Sequence, residues 1–109
     1  MILSDRDIRR AIDAGRITID PLPDLERALG SISVDFTLGQ TFMVFEHSRH
    51  SFIDPRHPRS IGEAMRTIEC AEDEPFIMQP GDFALASTVE SLELADDLLG
   101  RLEGRSSIA

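Results

Sequence analysis

Eight consecutive residues, Ser31-Ile32-Ser33-Val34-Asp35-Phe36-Thr37-Leu38, alternate polar and apolar side chains without a break. Successive side chains of a strand point to opposite faces, whereas a helix would scatter this pattern around its circumference. The octet therefore predicts a strand with one buried face. A lone strand or hairpin is marginal in water, so partners must come from elsewhere in the chain. Gly39 ends the run, and Thr41 to Phe45 resumes as a second strand that would pair with the first like a hairpin. Arg16 to Asp20, with Ile17 and Ile19 on one face, reads as a short strand ended by Pro21 and Pro23. Phe76-Ile77-Met78 and Phe83 to Glu90 read as strands, with Phe52-Ile53 and Leu99 to Leu102 as brief ones. Gln79-Pro80-Gly81-Asp82 places Pro and Gly at the centre of a type II turn, and Asp96 to Leu99 forms a connecting turn.

The helical signal is concentrated at the start. Ser4 is a suitable N-cap, with Asp7 in a weak variant of the capping box. Ile8, Ala11 and Ile12 follow at i, i+3 and i+4, and Gly15 fits the C-terminal cap. Residues 24 to 30 fit either a helical turn or a loop closed by Gly30, and 60 to 74 read as mostly loop. Many short strands between turn signals, with one N-terminal helix, argue for a mainly β sandwich or barrel.

Composition narrows the function. A chain of 109 residues is bounded to one domain, and 41% hydrophobic content supports a modest core. No window approaches the roughly 18 apolar residues of a membrane helix. The opening Met1-Ile2-Leu3-Ser4-Asp5-Arg6-Asp7 is charged too early for a secretory signal, so a cytoplasmic protein is expected. A net charge of −9 disfavours nucleic acid, whose phosphates reward positive charge. Lone Cys70 excludes an intrachain disulfide framework and any multi-cysteine zinc site. All 11 basic residues are arginine, so an anion site must use guanidinium forks, backbone N–H groups and hydroxyls.

Three segments bear on chemistry. Residues 46 to 60 hold His47, His50 and His57, with Arg49, Arg56 and Arg59 against Glu46 and Asp54. His47-x-x-His50, with His57 or Asp54 as third ligand, is a conceivable metal set, but the spacing matches no strong zinc signature and a solvated polar loop is the favoured reading. The arginines there fit either an anion or an exposed loop, of which the loop is preferred. Cys70 lies among acids, which raise a thiol's pKa, and reads as chemically idle. The third segment is Glu103-Gly104-Arg105-Ser106-Ser107-Ile108-Ala109. Glycine admits close backbone approach, Arg105 brings a charged fork, and two serines bring hydroxyl donors. On spacing alone, a helix N-cap explains the serines as well as an anion site does.

With those residues in view, the chain resembles the dCTP deaminase family of the trimeric dUTPase-like superfamily. The match runs in order along the whole length. Ser4-Asp5-Arg6-Asp7-Ile8 is similar to the family's opening helix, and Ser33-Val34-Asp35-Phe36-Thr37-Leu38-Gly39 to its first long strand. Phe52-Ile53-Asp54-Pro55 is similar to the mid-chain element. Pro80-Gly81-Asp82-Phe83, continuing to Glu90, is similar to the family's Pro-Gly-Glu-Phe turn and strand. Gly104-Arg105-Ser106-Ser107-Ile108-Ala109 is similar to the phosphate-contacting motif, and its Ser-Ser pair points to the deaminase branch, since ordinary dUTPases carry Ser-Gly there. The resemblance implies a distorted, jelly-roll-like β-barrel of dUTPase type, assembled as a homotrimer with nucleotide sites between subunits. It implies hydrolytic deamination of dCTP to dUTP, or on to dUMP in bifunctional members, with Mg²⁺ on the triphosphate and no catalytic zinc. Neither nucleic acid nor membrane is implied as a partner. Carried over, Arg105, Ser106 and Ser107, with the backbone of Ile108 and Ala109, would hold the triphosphate. Ser106 would also lie near the reacting base and help position the water.

The resemblance also sets an expectation about extent. Family members continue with an arginine, a Gly-containing strand, a glutamate general base and residues that close over the nucleotide. No residue of 1–109 matches that glutamate, and Glu103 reads as structural. Residues 1–109 are therefore expected to be the N-terminal part of a single dCTP deaminase-like domain, inactive alone, with unpaired sheet edges that favour association. The alternative is a non-catalytic nucleotide-binding or trimer-assembly module.

Overall fold

The computed structural model describes residues 1–46, 54–57, 62 and 64–105. They form two units, one made of residues 1–36 with the segment from residue 90 onward, the other of residues 37–89.

In the first unit, helix α1 (Asp5–Asp13) begins where the sequence places it. Ser4 Oγ accepts the Asp7 N–H at 3.3 Å, and Asp5 and Asp7 sit in the first turn, where the helix dipole favours negative charge. Ala14 is the C-cap, and Gly15 follows with φ +74°, a left-handed conformation that costs glycine little. The chain then enters β1 (Ile17–Asp20). Ile8 and Ala11 of the helix and Ile17 and Ile19 of the strand are buried together. Leu3, Ile12, Leu29, Val34, Phe36, Leu94 and Leu98 pack around them. The ambiguous 24–30 stretch contains a helical turn, α2 (Leu25–Ala28), capped by Asp24, whose Oδ1 accepts the Glu26 N–H at 3.1 Å.

The octet that opened the sequence argument departs from expectation. Residues 31–37 are not a ladder strand; the segment holds one isolated antiparallel bridge, Leu29 to Val34. Its backbone groups are taken locally. The Gly30 N–H donates to Ser33 O and the Asp35 N–H to Ala28 O, both at 2.8 Å, while Ser31 O accepts the Asp5 N–H. The alternation still works as packing, since Val34 and Phe36 lie against the core.

β1 pairs instead with β5 (Ser91–Leu94), antiparallel from Ile17↔Leu94 to Asp20↔Ser91. The sequence pattern assigns no element to Ser91–Leu94 and places its last strand at Leu99 to Leu102. Those residues carry no regular structure, and Leu99 and Leu102 are 96% and 86% exposed. The expected turn after Ala95 is present, with the Leu98 N–H on Ala95 O at 2.9 Å, and an Arg16–Asp97 ion pair lies beside it.

The second unit is an antiparallel sheet in the order β3-β2-β4, made of β2 (Leu38–Phe45), β3 (Met65–Glu69) and β4 (Ala84–Thr88). β3 corrects the reading of 60–74 as mostly loop, and Phe42 faces Ile68 across it. Gly39 continues β2 rather than ending it. The β2–β4 register slips between Leu38↔Thr88 and Phe42↔Ala86. A Cβ on Gly39 would meet Ser87 O at 2.9 Å, so glycine marks a bulge with close backbone approach. The expected strand at Phe76 to Met78 is also absent. Phe76 stacks on Phe42 instead, centroids 4.1 Å apart and planes 3° from parallel. The Gln79–Asp82 turn closes as predicted, with the Asp82 N–H on Gln79 O at 3.0 Å and Gly81 at φ +88°. The expected brief strand at Phe52-Ile53 lies outside the described residues.

The chain is thus mainly β, with two antiparallel sheets and a short N-terminal helix, and without a closed barrel among the described residues. None of the described helices is long and apolar enough to cross a membrane.

Candidate functional site

The candidate anion segment begins at the end of the described chain. After β5 and the turn that follows it, residues 98–105 run without regular structure. Within them Arg101 and Glu103 pair locally at 3.2 Å, both side chains exposed. Arg105 makes the long-range tie. Its Nη1 donates to Asp35 Oδ2 at 3.1 Å, across 70 residues of sequence. Asp35 is fixed on its own side, since its N–H is bonded to Ala28 O and its neighbours Val34 and Phe36 pack on the core. The Arg105 and Asp35 side chains are 60% and 42% exposed, respectively. An ion pair this exposed contributes about 0–1 kcal/mol to stability. Its consequence is positional: it sets where a guanidinium stands, next to Gly104.

Sequence reasoning singled out Arg105 but gave Asp35 no role beyond the octet. The available signal was an acid at a polar position between two core-facing residues. Its use required knowing what reaches it from the far end of the chain. Ser106, Ser107, Ile108 and Ala109 lie outside the described residues.

The histidine-rich segment divides likewise. His47 and His50 are outside the described residues. His57 Nδ1 lies 3.0 Å from Asp54 Oδ2. Asp54 Oδ1 accepts from the Arg56 N–H and Nε at 3.0 and 3.2 Å. The Arg56 contacts, then the His57 one, hold the Asp54 carboxyl below the usual carboxylate range. Both Asp54 oxygens are thus engaged by cationic or N–H groups of its own turn. Among the described residues no three His, Cys, Asp or Glu side chains converge on a point that would hold a metal ion. Cys70 is free and buried.

A shallow depression of about 170 Å³ lies over β2 and β4, lined by Thr41, Met43, Leu85, Ala86 and Ser87. It has no charged side chain, and typical small-molecule sites hold roughly 300–1,000 Å³. Its residues fit a sheet face better than a nucleotide site.

Comparison with known proteins identifies the family. A family model described as dCTP deaminase-like matches residues 2–109. A dCTP deaminase of Thermomicrobium roseum is 72% identical over 109 residues, which is 100% of this chain and 55% of that protein. A dCTP deaminase, dUMP-forming, of Methanothermobacter thermautotrophicus is 52% identical over 107 residues, 98% of this chain and 54% of that protein. One of the same name from Nocardia farcinica is 47% identical over 108 residues, 99% of this chain and 52% of that protein. The chain spans about half the length of the curated relatives it matches. With a helix-capped β1–β5 unit, a three-stranded sheet and a family match over nearly every residue, this chain belongs to the dCTP deaminase-like family.

Proposed function

We propose that the protein carrying this chain deaminates dCTP hydrolytically. Water adds at C4 of the cytosine ring, its oxygen becomes the uracil O4, and ammonia leaves. The observation that supports this reading most strongly is the similarity to dCTP deaminases across the whole chain. Several relatives are named dUMP-forming, which favours a second hydrolysis that splits pyrophosphate from dUTP.

Within this reading, Arg105, Ser106 and Ser107, with the backbone of Ile108 and Ala109, hold the triphosphate. A guanidinium presents several N–H donors in a plane that matches phosphate oxygens, and serine hydroxyls donate beside it. Ser106 also orients the attacking water. Mg²⁺ enters with the nucleotide. Phosphate oxygens commonly supply Mg²⁺ ligands. The general base lies outside residues 1–109, and its loss would slow such chemistry about 10²–10⁴-fold. We further propose a cytoplasmic homotrimer with sites shared between subunits, a reading that rests on the family resemblance.

The full-length protein incubated with dCTP and Mg²⁺ is expected to release ammonia and to yield dUTP or dUMP, separated by chromatography. Absence of any deoxyuridine nucleotide would remove the proposal. Accumulation of dUTP without dUMP would restrict it to deamination. Analytical ultracentrifugation showing a monomer at working concentration would remove the trimer.

A further inference from the structure

We infer that Asp35 is a positioning residue for Arg105: its carboxylate fixes the guanidinium so that the nitrogens it does not engage face the nucleotide's phosphates. The inference rests on the reading of Arg105 as a phosphate ligand and adds to it a residue from the other end of the chain.

The geometry carries the argument in three steps. First, the segment needs an external support. Leu98 packs against the core, but residues 99–105 after it have no regular structure, and exposed Leu99 and Leu102 do not anchor that stretch. Second, Asp35 is a rigid support. It sits between half-buried Val34 and Phe36, next to the Leu29–Val34 bridge, with its own N–H tied to Ala28 O at 2.8 Å. A carboxylate held this way restricts the arginine it grips. Third, the grip is one-sided. The contact uses Nη1 alone, at 3.1 Å, whereas a fork-on-fork pair would occupy two guanidinium nitrogens. Donors on the remaining nitrogens stay available for an anion. The carboxylate and a phosphate can therefore share the guanidinium, so the pair orients Arg105 without blocking it.

The test uses the full-length protein with dCTP and Mg²⁺, comparing wild type with Asp35→Asn, Asp35→Glu, Arg105→Lys and the double exchange Asp35→Arg with Arg105→Asp. Asp35→Asn is expected to raise KM for dCTP about tenfold, the effect of one misdirected charge-assisted contact, with kcat within about twofold. Asp35→Glu, which keeps the charge, is expected to recover most of the loss. Arg105→Lys is expected to weaken dCTP binding as Asp35→Asn does, since an ammonium loses the planar fork. The double exchange keeps an ion pair but leaves no guanidinium at 105, so it is expected to retain the wild-type melting temperature and lose dCTP affinity. An Asp35→Asn protein with wild-type KM, or a double exchange that restores it, would overturn the inference and leave the proposed function standing. If Asp35→Asn fails to fold, Asp35→Ser takes its place, a raised KM supporting the inference and a wild-type KM overturning it. A wild-type protein that does not bind dCTP would overturn the reading of Arg105 and this inference with it.

Discussion

The two units solve the same problem differently. In the first, α1 lies against β1, and Ile8, Ala11, Ile17 and Ile19 form a buried cluster with seven further apolar residues packed around it. In the second, the sheet has no helical cover of that kind among the described residues. Phe42, Ala64, Met65 and Cys70 are buried, while Leu38, Ile77, Met78, Phe83, Leu85 and Val89 are exposed. The second unit has three strands to the first unit's two, so strand content is not what covers a face; among the described residues the amphipathic helix beside the strands is. A strand's apolar face is satisfied only by something laid upon it. In the first unit that something is encoded within the opening residues of the chain.

Core truncations test this contrast most severely. Phe42→Ala removes the ring that stacks on Phe76 and is expected to destabilise the second unit by about 3–5 kcal/mol. Ile19→Ala should cost the first unit roughly 2–5 kcal/mol. Urea unfolding followed by site-specific hydrogen exchange would assign each loss to its unit. If Phe42→Ala proved nearly neutral, the second unit would have no core of its own, and the contrast would become one of folded against unfolded.

Gly39→Ala comes next. A methyl group there meets Ser87 O at 2.9 Å, backbone that cannot swing aside. Strain of about 1–3 kcal/mol is expected, read as a lower urea midpoint, with β2–β4 amides losing exchange protection before those of β3. Unchanged β4 protection would show that the bulge is soft.

Leu85→Thr acts on the uncovered face. Because Leu85 is already exposed, its loss should alter stability by no more than about 0.5 kcal/mol while reducing concentration-dependent association of the 109-residue chain. Light scattering of the two proteins at matched concentration would check it. A large stability loss would mean that the face is covered after all.

The smallest effect is electrostatic. Asp54 titrates below its unfolded value because Arg56 and His57 favour the carboxylate. A depressed carboxyl pKa contributes stability above the unfolded pKa, and this is lost as pH falls through the folded value. Asp54→Asn should therefore narrow the difference in urea midpoint between neutral and acidic solution. Equal slopes with pH in both proteins would show that the turn contributes nothing to folding.

Legibility in the sequence followed the range of the interactions. The α1 boundaries and the Gln79–Asp82 turn rest on partners within a few residues: Ser4 with Asp7, Gln79 with Asp82, Gly81 supplying positive φ. The errors lie where two backbone segments competed for partners. The octet from Ser31 has an ideal strand pattern, yet its groups bond to Ala28, Gly30 and Asp5, and only Leu38 joins a ladder, that of β2 with β4. β3 lacks a clean alternation, since Arg66 and Thr67 are adjacent polar residues, and it is a strand because β2 offers it a hydrogen-bonding edge. The candidate site shows the same division. Gly104-Arg105-Ser106-Ser107 was visible as chemistry, whereas Asp35 acquires a role only when the fold brings it to Arg105.

By itself, then, the sequence determined the mainly β class, the N-terminal helix and its caps, the type II turn, and the guanidinium-and-hydroxyl character of the anion segment. These depend on local dihedral preference, periodicity and side-chain chemistry. Only the tertiary structure decided that β1 pairs with β5, that β2 lies between β3 and β4, and that Asp35 holds Arg105. Each of those joins residues at least 20 positions apart. A strand's hydrogen-bonding groups and a carboxylate's charge state what they can bind, and the path of the chain selects which partner arrives.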